Sequence, residues 1–354
     1  SELFFCSSSR RHTISDRDWS SDVCSSDLVP FLIDGLLKLE YRGYDSAGLA
    51  VINEKLDRVR NSGRVSELSE KVQSLNIKSK LGIAHTRWAT HGAPLERNAH
   101  PHISRDGLAL VHNGIIENHE SLRRTLTKQG YEFTSDTDSE VIAHLIHEHL
   151  ENSPDLLTAV RHTVSKLVGA FALAVISEQS KKRIILARRG APLLVGLGEN
   201  EVYCASDSSA LLQCTKRMIF MEDGDLADVT VNGPTFFDSR GKTVEREIYE
   251  SELSPDQVEL GRFDHYMQKE IFEQPGALAA TLEMVTGSSA ITPELFGTEA
   301  SSILNTIDSI TIIACGTSYH SGLTAKYWLE EIAQVPVFVE IASEYRYRKP
   351  IANP

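Results

Sequence analysis

The sequence has few features of membrane, secreted or nucleic-acid-binding proteins. No apolar run approaches the roughly 20 residues that a helix needs to span a bilayer, and the longest, such as residues 310–314, have the length of a buried strand. Five cysteines form no spaced framework, so a reducing cytoplasm is the simplest compartment. Positive charge is in the minority, since 36 Lys and Arg stand against 49 Asp and Glu, a net charge of −13. This balance argues against a nucleic-acid or anionic-membrane binder and leaves room for a local basic pocket.

Motifs of metal and nucleotide sites are also missing. There is no His-Glu-x-x-His or Cys-x-x-Cys spacing, no Walker loop and no Gly-x-Gly-x-x-Gly. His144, His147 and His149 share one predicted helix, and we expect them to be solvated or hydrogen-bonded rather than to bind a metal. With 41% hydrophobic and 24% charged residues, the composition is that of an ordinary globular protein, and the length suggests about two domains.

Residues 1–28 differ in character from the rest of the chain. They show neither helical nor strand periodicity, they are rich in Ser and Asp, and the triplet Ser-Ser-Asp occurs twice. Arg10 and Arg11 are followed by polar residues, which argues against a signal peptide. The segment is either a disordered tail or, as we favour, translated adapter DNA in place of natural sequence. We therefore expect no contribution of residues 1–28 to the fold, and we expect both ends of the chain to be cut.

From residue 29 onward, the pattern of apolar residues predicts helices set between short strands, which is typical of an α+β layered sandwich. The second predicted helix follows an Asp or Ser N-cap. Predicted helices are residues 29–39, 139–150 and 156–167. Predicted strands are residues 49–53, 81–85, 108–112, 170–177, 183–188, 193–197, 201–205, 218–221 and 226–231. These elements define a first domain at residues 29–250.

A second domain is predicted after a polar linker that contains Pro255, at residues 253–261. The later elements are a helix at 265–273, a strand at 307–314, a helix at 320–332 and a strand at 335–341. The last three form a βαβ unit, which predicts the start of an α/β domain with a parallel sheet. We assign residues 251–300 to the linker and first helix and residues 301–354 to this truncated domain.

The densest concentration of polar and aromatic side chains is the run at residues 82–92. Arg87 can hold a carboxylate through two parallel hydrogen bonds, and two Thr and two His add directional hydrogen bonds. The alternative is a loop with a structural Trp and surface charges, which we prefer for Arg87 taken alone. For the whole run we favour the lining of a small-ligand site.

Two further positions suggest acyl-transfer chemistry. The Asn113 amide beside the Gly114 N–H would make an oxyanion hole if both pointed at a developing alkoxide. Taken alone, the pair favours an Asn-Gly turn between two strands. Asp138 precedes a predicted helix, where a carboxylate either stabilises the helix dipole or pairs with a ligand ammonium.

A small-residue loop at residues 314–319 joins the predicted strand and helix of the second domain. Its amides and the hydroxyls of Thr317 and Ser318 stand at a helix N-terminus, where negative charge is favoured. The alternative is a plain βα turn. We expect a phosphate-sized anion to bind there.

Taken together, the motifs resemble those of a known family. In chain order they are residues 39–48, 85–92, 112–116, 137–138, 265–270 and 314–319. From residue 29 to the last residue, this order is similar to that of the isomerizing glutamine–fructose-6-phosphate aminotransferases. Other class II glutamine amidotransferases, such as asparagine synthetase or amidophosphoribosyltransferase, share only parts of it and lack the last loop.

The resemblance implies an αββα sandwich of the Ntn-hydrolase type, which is the glutaminase domain, followed by the first of two SIS (sugar isomerase) domains. It implies a cytoplasmic enzyme that uses no metal or organic cofactor and that dimerises through its synthase half. Glutamine would be hydrolysed, and the ammonia would pass through an internal channel to convert fructose 6-phosphate into glucosamine 6-phosphate.

By motif position, the resemblance also implies residue roles. Arg87 would hold the glutamine α-carboxylate and Asp138 its α-ammonium. Trp88, Thr90, His91 and His100 would line the pocket, and Trp88 would also gate the channel. Asn113 and Gly114 would form the oxyanion hole, and Arg42 would order the site. The sugar-phosphate loop would consist of Cys315, Gly316, Thr317 and Ser318.

The sequence departs from the family at the nucleophile. The family uses an N-terminal Cys within Cys-Gly-Ile-Val-Gly, whose own α-amine serves as the base, and this motif is absent here. We do not expect Cys6 or Cys24 to replace it, since neither is N-terminal and neither is followed by a predicted strand. The family's second phosphate loop is also missing. We therefore expect the chain to lack both half-reactions; the alternative is a non-catalytic module that binds glutamine or a hexose phosphate.

Overall fold

The computed structural model describes residues 2–8, 28–40, 43–88, 92–199, 201–251, 263–286 and 300–349. The chain divides into two compact units, residues 1–262 and residues 263–354. The predicted linker at residues 253–261 lies outside the described residues. Across the described ranges, no helix is long and apolar enough to cross a membrane.

Unit 1 is built on two antiparallel sheets. Its strands are β1 (Glu2–Ser8), β2 (Ser46–Ile52), β3 (Leu56–Ser62), β4 (Leu81–Arg87), β5 (His102–Ile103), β6 (Leu108–Ile116), β7 (Gly169–Ser177), β8 (Arg183–Arg189), β9 (Leu194–Leu197), β10 (Glu201–Ala205), β11 (Arg217–Phe220), β12 (Leu226–Thr230), β13 (Gly233–Phe237), β14 (Thr243–Val244) and β15 (Tyr249–Glu250). The first sheet has the order β15-β11-β9-β10-β1-β4-β2-β3, and the second has the order β14-β13-β12-β8-β7-β6-β5.

Helices cover the outer faces of both sheets. They are α1 (Val29–Lys38), α2 (Val65–Leu75), α3 (His119–Lys128), α4 (Asp138–Leu150) and α5 (Leu156–Lys166). Alternate residues of a strand point to opposite faces of its sheet, and β6 shows the result. Ala109 and Val111 pack in the core that both sheets share with α1 and α2, whereas Leu108 and Leu110 pack in the core formed with α4 and α5. The layers follow the order helix, sheet, sheet, helix, which confirms the predicted αββα sandwich.

The start of α4 is fixed by side-chain hydrogen bonds. The Thr137 side chain accepts a hydrogen bond from the Glu140 N–H at 3.3 Å. The Glu140 carboxylate accepts from the N–H groups of Thr134 and Ser135, at 2.9 and 2.7 Å, and so holds the segment that leads into the helix. The predicted Asp or Ser N-cap is therefore wrong, because Thr137 caps the helix and Asp138 is already its first residue.

The expectation that residues 1–28 take no part in the fold is wrong for Leu28, which packs in the core at the start of α1, and for residues 2–8. This segment forms β1, which lies between β4 and β10 in the first sheet. Within β1, Cys6 is paired with Gly82 on one side and Tyr203 on the other. Position 6 therefore lies on a strand of the sandwich, contrary to our expectation. Residues 9–27, with Cys24, lie outside the described residues.

Unit 2 contains a parallel βαβ unit. Its elements are α6 (Tyr266–Thr286), α7 (Ala300–Leu304), β16 (Ile310–Ala314), α8 (Gly316–Trp328), a π-helical turn (Leu329–Ala333), β17 (Val337–Ile341) and α9 (Ala342–Tyr347). Strands β16 and β17 pair in parallel from Ile310 opposite Val337 to Ala314 opposite Ile341. Gly322 lets α8 approach this sheet closely, since a Cβ atom there would lie about 3 Å from the Ile312 and Val339 side chains. The predicted parallel sheet is confirmed.

Candidate functional site

Arg87 ends β4 and is 3% exposed. Its Nη1 atom lies 3.4 Å from Asp45 Oδ1, and its Nη2 atom donates to the Gly92 carbonyl at 3.2 Å. The Asp45 backbone N–H donates back to the Arg87 carbonyl at 2.7 Å. A buried guanidinium held by a carboxylate and a carbonyl keeps its orientation. Asp45 is a partner that sequence analysis missed, because only its position just before β2 distinguishes it from other acidic residues.

A chain of hydrogen bonds joins the loop after β4 to the residues just before α4. Asn98 Nδ2 donates to the Ala93 carbonyl at 2.9 Å and to Asp136 Oδ2 at 3.2 Å. The Asp136 backbone N–H donates to Asn98 Oδ1 at 2.9 Å. Gly92 fits tightly here, since a Cβ atom on it would lie 2.7 Å from Asn98 Nδ2 and 3.0 Å from Asp136 Cβ. The loop that contacts Arg87 is therefore tied to the start of α4.

Asn113 and Gly114 lie within a strand. The pair was expected to form a turn after residue 112, and this expectation is wrong, because β6 runs on to Ile116 and pairs with β7 throughout. Gly114 has φ +133°, and a Cβ atom on it would lie 2.0 Å from the Ala170 carbonyl oxygen. Glycine is therefore required by both backbone conformation and close approach. Asn113 is 7% exposed, whereas Gly114 is exposed.

Asp138 is joined directly to the end of β6. Its Oδ2 atom accepts a hydrogen bond from the Ile116 N–H at 2.9 Å, and the side chain is buried. A second contact between the same elements runs from His112 Nδ1 to Ser139 Oγ at 2.9 Å. Asp138 is thus fixed beside the strand that carries Asn113 and Gly114.

Three buried histidines pack against one another beside Asn113. The His100 ring lies 4.1 Å from the His85 ring and 4.7 Å from the His102 ring, centroid to centroid. Burial lowers the pKa of all three well below the ordinary value, so the rings are neutral near pH 7. In the part of the chain that the structure describes, neither ring nitrogen of His100 has a hydrogen-bond partner. The Nε2 atom of His85 lies 2.9 Å from Asn113 Oδ1. Sequence analysis did not predict this contact between the two residues.

Trp88 follows β4 directly and is 59% exposed. Its ring lies over Gly43, whose φ is +77°, and a Cβ atom at Gly43 would lie 2.8 Å from Trp88 Cζ3. The remaining predicted site residues of unit 1, Arg42, Thr90 and His91, lie outside the described residues.

The three histidines of α4 are buried and hydrogen-bonded. His144 contacts Ser104 Oγ at 2.9 Å, and His149 contacts Thr163 Oγ1 at 2.8 Å. His147 lies 2.7 Å from the Tyr131 hydroxyl. Of the two expected roles, hydrogen bonding is correct and solvation is wrong. Nowhere in the described ranges do three or more His, Cys, Asp or Glu side chains form a group able to hold a metal ion.

In unit 2, Cys315 is the N-cap of α8, and Gly316, Thr317 and Ser318 form the first turn of that helix. The expected loop is therefore shorter than residues 314–319, because the helix begins at Gly316 rather than His320. All four residues are exposed, and Gly316 has φ +57°.

Unit 1 contains two open cavities, of about 750 and 370 Å³. Both are lined by residues other than the predicted site residues.

Comparison with known proteins matches each unit to a family of domains. A family model described as a glutamine amidotransferase domain matches residues 85–213, and a model described as a SIS domain matches residues 303–353. A solved "structure of the allosteric regulatory enzyme of purine biosynthesis" has a TM-score of 0.54 and 25% identity, over 67% of this chain and 49% of that one. A glutamine phosphoribosylpyrophosphate amidotransferase from B. subtilis also has a TM-score of 0.54, with 21% identity, over 96% of this chain and 65% of its own. Fold and matches together define a glutamine amidotransferase domain of the Ntn type followed by a SIS domain.

Curated proteins that are similar over most of the chain identify a more specific family than the domain models do. A glutamine–fructose-6-phosphate aminotransferase [isomerizing] of Xylella fastidiosa (strain 9a5c) is 51% identical over 333 residues, which are 94% of this chain and 54% of the relative. The protein of the same name from Xanthomonas campestris pv. campestris is 53% identical over the same shares. The chain belongs to the family of isomerizing glutamine–fructose-6-phosphate aminotransferases. It spans about half the length of the curated relatives it matches.

Proposed function

We propose that this chain carries the glutamine site of an amidotransferase that converts fructose 6-phosphate and glutamine into glucosamine 6-phosphate and glutamate. One observation carries most of the proposal: Asp138 is fixed by the Ile116 N–H at the end of the strand that bears Asn113 and Gly114. A carboxylate and a pair of neutral donors thereby lie on adjoining elements, as recognition of an amino acid with a terminal amide requires. The names of the curated relatives support the same activity.

In this proposal each end of glutamine has its own partners. Arg87, held by Asp45 and the Gly92 carbonyl, binds the α-carboxylate, and Asp138 binds the α-ammonium. Asn113 Nδ2 and the Gly114 N–H donate to the carboxamide oxygen, where negative charge develops when a nucleophile attacks. Trp88, Thr90, His91 and His100 line the pocket, and Arg42 orders the residues around the nucleophile.

A second function, glutamine binding without hydrolysis, would use the same contacts around Asp138 and the strand that bears Asn113 and Gly114. Calorimetric titration with L-glutamine tests the binding that both functions share. An assay for glutamate release then separates them, since release indicates a glutaminase and saturable binding without release indicates a binding module. Absence of heat with glutamine contradicts both.

For unit 2 we propose that Cys315, Gly316, Thr317 and Ser318 contribute to binding the phosphate of fructose 6-phosphate. The first backbone N–H groups of a helix have no partner within the helix and favour an anion, and α8 has 13 residues and no side-chain cap at Cys315. Titration with fructose 6-phosphate, with fructose as the control, tests the phosphate contribution. We also propose that the full-length enzyme is a homodimer, which sedimentation of a full-length protein tests.

A further inference from the structure

His85 makes a contact that joins the two sheets of unit 1. It lies on β4 of the first sheet and is fully buried. Its Nε2 atom lies 3.1 Å from the His112 carbonyl oxygen and 2.9 Å from Asn113 Oδ1. Both acceptors belong to β6 of the second sheet. The imidazole is therefore a side-chain bridge at the position of the proposed oxyanion hole.

The backbone contact fixes the tautomer of this ring. A peptide carbonyl can only accept a hydrogen bond, so the Nε2 atom beside the His112 carbonyl carries a proton. Burial, with the nearby His112 ring, lowers the pKa of His85 and keeps the imidazole neutral, so Nδ1 carries no proton. Consistent with an unprotonated nitrogen that is not used for bonding, Nδ1 of His85 has no partner among the residues that the structure describes.

The tautomer of His85 determines which end of the Asn113 side-chain amide faces the imidazole. A terminal amide has an oxygen and a nitrogen of nearly the same shape, and the hydrogen-bond partners decide which way it points. Because Nε2–H of His85 donates to both acceptors, the Asn113 atom that faces it must be Oδ1. The Nδ2 amino group then faces away from His85 and is free to donate elsewhere. If the amide were reversed, two N–H groups would face each other in a buried site, which is costly.

We propose that His85 is a positioning residue that holds the Asn113 amide with its N–H groups toward the glutamine carboxamide oxygen. The inference rests on the proposed glutamine site and adds to it a residue that touches no substrate. Preorganised donors are effective because they need no reorientation when charge develops. An Asn113 amide without His85 has no fixed donor end at this position.

The surroundings of His85 hold the ring in place. The His100 ring packs against it, tilted by 37°. On the neighbouring strand β2, Gly48 is the residue paired with His85. A Cβ atom on Gly48 would lie 2.2 Å from the His100 carbonyl oxygen, so glycine at this position lets the His100 backbone approach. Neither neighbour offers the ring an alternative hydrogen bond that would turn it away from Asn113.

Two variants of His85 and two ligands test the proposal by calorimetry. In His85→Gln, the side-chain N–H₂ group can take the place of Nε2–H; in His85→Leu, the donor is lost. L-norvaline has the α-carboxylate, the α-ammonium and the carbon chain of glutamine but lacks the carboxamide. We expect His85→Leu to weaken glutamine binding about tenfold, as for one lost hydrogen bond, and to change norvaline binding less than about twofold. His85→Gln should keep glutamine affinity within about threefold of wild type.

The outcomes separate this inference from the function on which it rests. Equal weakening of glutamine and norvaline by His85→Leu would indicate a purely structural role and would overturn the inference while leaving the glutamine site intact. Absence of glutamine binding to the wild-type chain would overturn both. If His85→Leu does not fold, nitrogen-15 NMR of the wild-type chain still decides the point, since the inference requires the proton on Nε2 of His85, and a proton on Nδ1 contradicts it.

Discussion

The Ile116 N–H donates to Asp138 Oδ2 at 2.9 Å, which joins the last residue of β6 to the first residue of α4 through a buried carboxylate. Among the residues that the structure describes, the other oxygen, Oδ1, has only a long contact of 3.4 Å with Ser139 Oγ. A carboxylate has about four acceptor positions, so this one keeps capacity for an ammonium group. The same side chain thereby fixes the geometry of the site and provides its negative charge.

Asp138→Asn separates these two contributions. Asparagine keeps a carbonyl oxygen for the Ile116 N–H but loses the charge, so we expect the melting temperature to change little. Glutamine affinity should fall about 10- to 100-fold, as for the loss of a hydrogen bond to a charged group. Asp57→Asn, at an exposed position of β3, makes the same change of charge and should leave the affinity unchanged. Calorimetry on both variants provides the comparison, and a wild-type affinity in Asp138→Asn would remove Asp138 from the site.

Gly114→Ala should destabilise unit 1 strongly. The new methyl group would meet the Ala170 carbonyl oxygen at 2.0 Å, at a φ of +133°. Gly233→Ala is the matched control, because its φ is +116° but no atom lies within 4 Å of the added Cβ. We expect both variants to lose about 1–3 kcal/mol through backbone strain and Gly114→Ala to lose about 1–3 kcal/mol more through the clash. Urea unfolding measures the difference, and equal losses would show that the backbone at Gly114 yields.

The buried histidines predict that stability falls in mild acid. Burial lowers the pKa of His85, His100 and His102 in the folded state, whereas in the unfolded chain it is near 6.5. Below about pH 6.5 the unfolded state therefore binds more protons, and the free energy of unfolding decreases as pH decreases. Each histidine contributes at most about 1.4 kcal/mol per pH unit to the slope of the free energy of unfolding against pH.

Urea unfolding at pH 7.5, 6.5 and 5.5 measures this slope. The replacement His102→Gln should reduce it, because one group that must remain neutral is removed. The replacement of the exposed His162 on α5 by Gln should leave it unchanged. A slope that is the same in both variants and in the wild type would show that the buried histidines do not cause the acid sensitivity.

Helices and strands whose apolar residues repeat regularly could be predicted from the sequence. Elements with few or irregularly spaced apolar residues could not. Helix α4 and four strands of the second sheet, β6, β7, β8 and β12, were expected because their apolar residues repeat regularly. Helix α3 was missed because Leu126 is its only buried residue among those described, so no apolar face marks it. Strand β1 was missed because the apolar part of residues 2–8 is too short to show a period, and its place between β4 and β10 follows only from the complete sheet.

Local sequence also misled where a long-range ladder decides the structure. Asn113-Gly114 is a typical turn pair, yet pairing of β6 with β7 from Leu108 to Ile116 keeps it in a strand. For the same reason, the bond from His85 to Asn113 was not predictable, since the two residues lie on different sheets. Motif order indicated Arg87, Asn113, Gly114 and Asp138 as site residues, but the partners that orient them, Asp45 and His85, depend on tertiary contacts.

The central claim is that Arg87, Asn113, Gly114 and Asp138 bind one glutamine molecule. A crystal structure of this chain with L-glutamine tests it most directly. We predict the ligand's ammonium nitrogen within about 3 Å of an Asp138 oxygen, its carboxylate at a similar distance from the Arg87 guanidinium, and its carboxamide oxygen facing Asn113 Nδ2. Glutamine bound elsewhere on unit 1, with these four residues unoccupied, would contradict the account.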